Sequence, residues 1–199
     1  MAFGPSAFDN LTTTQVAALT ATQVAPFTAA YDWPGLTTSQ ASFLTTQAVA
    51  AINLYQVPGI STSDVPFLTT TQIGSLSGGA LSGLTSSQFG ALTTSQIGFL
   101  TTSQVAAVGA GALGGLTTTQ VATLTTSVIA NISTSQTPAL STVSVSALST
   151  SQVGAIPAKD IAVLTSSQAS VLSTSSIGAL TTSLVAVLAP RHIAGLTTS

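Results

Sequence analysis

One eight-residue phrase recurs along this chain and constrains its fold more than any other feature. "LTTSQIGF" at residues 92–99 is followed by "LTTSQVAA" at 100–107, and relatives of it run from "LTTTQVAA" at residue 11 to a closing "LTTS". From Leu36 the register advances in eights without a slip, through "LAPRHIAG" at Leu188. Position 1 is apolar in every unit, including Phe3, Ile52, Val108 and Ile156. Position 6 is apolar in nearly all, as in Val16, Ile73, Phe89, Leu113, Ile161 and Ile193, with Ala41, Thr137 and Ala169 as weak points. A fixed short period of this kind is the mark of a solenoid, in which each repeat buries its apolar face only against its neighbours.

A longer period lies over the first. Ala48, Ala80, Ala112, Ser144 and Ser176 stand where Gln usually does, in every fourth octad, while Gln40, Gln72, Gln104, Gln136 and Gln168 keep the amide in the octads just before. Columns that repeat every 32 residues imply four octads per coil and about six coils. The chain then reads as one solenoid domain over residues 1–199. Its first coil, 1–35, is irregular, with an insertion at 31–35, and regular octads follow from 36 to 199.

Thr or Ser at position 2 with Gln at position 5 forms a capping box. The hydroxyl accepts from the backbone N–H three residues on, and the Gln side chain accepts from the cap's own N–H. Position 6 and the next position 1 are three residues apart, a helical spacing. Each octad is therefore expected to hold one short capped helix, giving an all-α repeat solenoid. A β-solenoid is the alternative, because Thr favours strands and Pro58, Pro66 and Pro138 at position 7 would break an α-helix. Those three units are expected to hold a 3₁₀-like turn.

The chain is 45% apolar yet carries only two Lys+Arg, four Asp+Glu and one His, so Thr, Ser and Gln must wet its surface. Nucleic acid is excluded as a partner, since that binding rests on many cations. No apolar run is long enough to span a bilayer, and the opening "MAFGPSAFDN" shows no secretory signal. There is no cysteine. His192 has only Arg191 beside it, too few groups for a metal site, a cofactor or a catalytic cluster. No cofactor is expected, and the chain is not expected to be an enzyme. Asp64, Asp160 and His192 share position 5 of one octad class, which suggests helix-start contacts or a cross-coil pair. Lys159 and Arg191 stack at position 4.

The candidate interaction residues lie near the ends. Tyr31 and Trp33 sit in the inserted "YDWPG", where a ring would either cover the first coil or stack on a partner. Phe3 and Phe8 make one end apolar, and Arg191 and His192 bias the charge of the other. Such a rod is expected to self-associate head to tail. Ordered Thr and Gln ranks raise a second expectation, a face that binds ice, a carbohydrate or another surface.

The run of "LTTSQV"-type octads resembles the repeat arrays of large bacterial exported proteins, the adhesin-like or haem-utilisation-related exoproteins. The resemblance covers residues 11–199 and implies an extracellular or cell-surface structural or adhesive role. It carries over no functional residues and no haem pocket.

Overall fold

The computed structural model describes residues 6–178 and 180–186. Within them the chain forms eighteen short α-helices and four 3₁₀ turns, with no strand. It is an all-α repeat solenoid in which each octad contributes one side. The helices are only four to six residues long, as in Thr38–Ala41 and Thr94–Phe99. Isolated helices of that length are unstable in water, so two local devices and one packing device hold them.

The first device is the cap. Thr93 sits in extended conformation before the helix Thr94–Phe99 and its Oγ1 accepts from the Gln96 N–H, while Gln96 Oε1 accepts from the Thr93 N–H at 2.6 Å. The same reciprocal pair starts the helices Thr13–Val16, Thr70–Ser75, Ser86–Ala91, Thr118–Thr123 and Ser166–Ser170. The second device is the corner. The residue at the next position 1 returns to extended backbone, as at Leu100 (φ −66°, ψ 132°), and turns the chain into the following side. Where proline occupies position 7, only a 3₁₀ turn forms: Val57–Gly59, Val65–Phe67 and Thr137–Ala139. Proline removes the N–H that an α-helix would need.

Packing supplies the rest. Positions 1 and 6 point inward and are almost fully buried, as in Leu92, Ile97, Leu100 and Val105. At about 1.5–3 kcal/mol per fully buried aliphatic side chain, these two anchors are the main stabilising contribution of each octad. The weak points hold because they are small or satisfied. Ala41 and Ala169 are fully buried, and the Thr137 hydroxyl donates to the Ser133 carbonyl at 3.0 Å. The inner space is filled: the apolar voids lined by residues such as Ile73, Leu76 and Leu81, or Ile129, Ile132 and Leu148, are about 10–20 Å³.

The turn of the solenoid is shorter than the 32-residue column suggests. Helices pack against helices three octads away, for example Thr46–Ala50 on Thr70–Ser75 and Thr94–Phe99 on Thr118–Thr123. Cross-turn hydrogen bonds run 28 and 31 residues back. Since 28 residues are three and a half octads, each octad straddles two octads of the turn beneath. Every corner therefore bends by more than a right angle. The residue columns recur every 32 because each octad touches the end of the octad four back as well as the start of the one three back.

Candidate functional site

The position-5 glutamine does more than close its own cap. Gln96 is 2% exposed, and after its Oε1 has accepted from Thr93 its Nε2 still holds two hydrogens. Those donate to the Val65 carbonyl at 2.9 Å and the Leu68 carbonyl at 2.6 Å, both in the turn beneath. Gln72 does the same to Ala41 and Leu44, Gln88 to Val57 and Ile60, Gln152 to Val121 and Leu124, and Gln168 to Thr137 and Leu140. The acceptors are carbonyls that a short helix leaves without a sufficient intrahelical partner at its end. One side chain thus satisfies the start of its own helix and the end of another, and a ladder of such amides ties turn to turn.

Departures from glutamine follow the same logic. Ser144 replaces the amide with a shorter donor, and its Oγ reaches the Leu116 carbonyl at 2.8 Å. In the nine-residue unit, Asp32 Oδ2 accepts from the Thr28 N–H at 2.7 Å and from its hydroxyl at 3.1 Å, four residues away instead of three. The insertion is absorbed there. Asp32 also receives the Ala7 N–H on Oδ1, and its carbonyl accepts from Ser6 Oγ at 2.6 Å.

Asp64 and Asp160 occupy the glutamine position and are 3% and 1% exposed, but neither makes the cap bond of a glutamine. Burial pushes both carboxyls above the ordinary aspartate range; the Ser63 hydroxyl opposes this at Asp64 and the Lys159 charge at Asp160. The expected cross-coil pair of Asp160 with His192 falls outside the described residues, as do Phe3 and Arg191 and so the stacking of Lys159 on Arg191.

The rings near the first turn divide. Trp33 and Phe8 are fully buried, so of the two readings of the inserted ring the cover over the first coil holds, and neither residue is a surface contact for a partner. With Phe27 they form a cluster that plugs the first turn, edge-on for Phe8–Phe27 and tilted for Phe8–Trp33, with ring centroids 5.4 Å apart in both pairs. Phe8 stands at position 6, Phe27 at position 1 and Trp33 in the insertion, so Phe8 and Trp33 are core and not surface. Tyr31 is 47% exposed, and Tyr55, Phe43, Phe67 and Phe99 are exposed large rings that the sequence pattern does not single out. Phe43, Phe67 and Phe99 all stand at position 8.

The glutamines of the first described turn differ from those of the ladder. Gln15 and Gln23 close their caps through Oε1 yet are exposed, and their amide hydrogens meet no acceptor among the described residues. Beside them a concavity of about 410 Å³ is lined by Ala18, Leu19, Thr20, Thr45 and Gln47. Among the described residues no three His, Cys, Asp or Glu side chains are grouped to hold a metal, and no helix is long and apolar enough to cross a membrane. No family model matches the chain, and no curated protein does either.

Proposed function

We propose that this chain is a structural protein, a rigid rod that serves as a stalk or as the subunit of a head-to-tail filament at the cell exterior. The observation that carries the reading is the ladder of buried amides, in which each turn offers the acceptors that the next one requires. From Gln40 onward, most position-5 glutamines donate to carbonyls of the turn beneath, whereas the amide hydrogens of Gln15 and Gln23 meet no acceptor among the described residues. Another copy of this solenoid would bring acceptors of matching geometry and spacing. The near absence of charge fits stacking, since no like-charged ends must be forced together. The exterior location rests on the resemblance to exported repeat arrays. The reading invokes no cofactor and no catalytic step.

Electron microscopy across a concentration series tests it. Filaments that lengthen with concentration, and that disappear in a Gln15→Glu/Gln23→Glu double variant, are the expected result. Single short particles at the highest concentration would overturn it.

A second reading is a binding platform, and the exposed rings Phe43, Tyr55, Phe67 and Phe99 favour it. The carbohydrate form of that reading predicts retention on a glycan array that is lost in Tyr55→Ala, and the ice form predicts thermal hysteresis.

A further inference from the structure

The octad "IPAKDIAV" at residues 156–163 breaks the ladder's rule in a chemically specific way. Its cap residue is Pro157, which has no N–H to offer, so the acceptor role that every capping glutamine fills has no donor here. Its position 5 is Asp160, whose two carboxyl oxygens are both buried and both without a hydrogen-bond partner. The ladder register places the carbonyls of Ile129 and Ile132, 31 and 28 residues back, where a glutamine amide would donate. Ile132 itself is buried at the corner, and its carbonyl accepts from no described donor. An ionised carboxylate is an acceptor only, and here it would face carbonyl oxygens with nothing to receive.

We propose that Asp160 is a neutral carboxylic acid which replaces the missing amide, donating its proton to a carbonyl of the turn beneath, so that the rod is clasped at this octad by acid and loosened as pH rises. A protonated carboxyl has one O–H to give, and the Ile132 carbonyl is a free acceptor in register to take it. Burial raises the Asp160 pKa, and the neighbouring Lys159 charge only partly opposes that. Lys159 is exposed and shares the helix Ala158–Ile161. The packed helix Thr182–Ala186 carries no titratable group, and neither do the helix Thr126–Ile129 and residues 132–139 beneath. Arg191 and His192 lie outside the described residues. The sign follows: the folded state holds the proton more tightly than the unfolded chain, so this contribution is complete below the ordinary aspartate value near 3.9 and is lost as pH rises through the raised one.

The test compares melting of the full chain and of Asp160→Asn from about pH 3 to about pH 8. Asparagine donates at every pH, so the variant should lack a fall in midpoint of about 2–4 °C that the parent shows on raising pH. Equal slopes for parent and variant would overturn the proposal, and so would a midpoint raised by calcium and lowered by a chelator. Infrared spectra of a chain that retains Asp160 keep the test open should the variant misfold. A protonated carboxylic acid band must persist above the ordinary aspartate value near 3.9 in a chain carrying Asp64→Asn, and its absence there also overturns the clasp.

Discussion

At the residue scale, the glutamine of each octad carries two duties that differ in how visible they are. Its Oε1 pairs with a residue three positions away, so the cap can be read from spacing alone. Its Nε2 pairs with carbonyls 28 and 31 positions away, and no local pattern discloses that partner. The 32-residue column of amides is the one trace of it in the sequence. Gln96→Ala strands the Leu68 carbonyl and leaves the Val65 carbonyl with the Leu68 N–H alone, at about 1–3 kcal/mol for a buried group left without a partner, and should lower the melting midpoint. Gln96→Glu preserves the cap but sets a carboxylate against those carbonyls. That variant should be destabilised at neutral pH and recover part of the loss on acidification, because burial would raise its folded pKa above the unfolded one. Melting curves at two pH values check both outcomes. Trp33 shows another limit: the inserted loop left its lone indole two readings, a cover for the first coil or a contact for a partner, and packing selects the first.

At the element scale, caps, inward anchors and the 3₁₀ turns at Pro58, Pro66 and Pro138 were legible, because each depends on neighbours within one octad. Close approach was not. Among the glycines, the tightest backbone approaches fall at position 8. A Cβ on Gly59, Gly83 or Gly115 would run into the Ala29, Leu54 or Ser86 carbonyl of the turn beneath. The same position holds Phe43, Phe67 and Phe99, so position alone could not separate contact from exposure. The glycines therefore divide into two kinds. Gly98, inside the helix Thr94–Phe99, has no neighbouring atom within 4 Å of the point where an alanine methyl would stand. Gly98→Ala should stabilise by about 0.5–1 kcal/mol through reduced backbone entropy. Gly115→Ala should destabilise, since the backbone of Ser86 must shift. Chemical denaturation of the two variants side by side distinguishes these signs.

At the scale of the whole molecule, the candidate interaction residues were only partly legible, because ends and outer faces depend on how many residues make a turn. A square coil of four octads follows naturally from the residue columns, whereas the bonds close after about three and a half. Turn length is set by the bend at each corner, and a repeat of identical units contains no statement of that angle. Removal of one complete octad, residues 84–91, should leave a folded solenoid, since every later amide still finds an octad end and an octad start beneath it. Removal of residues 84–87 alone should collapse the stack beyond the cut, with loss of helical circular dichroism and a lower, broader melt. Equal damage from both deletions would mean that the ladder does not set the register.

The half-octad stagger also governs how the rod carries load. As in masonry laid in stretcher bond, no joint runs clear through the wall. A pull along the axis at any height bears on a side that spans two sides below it, and strain spreads around the circumference instead of opening a seam.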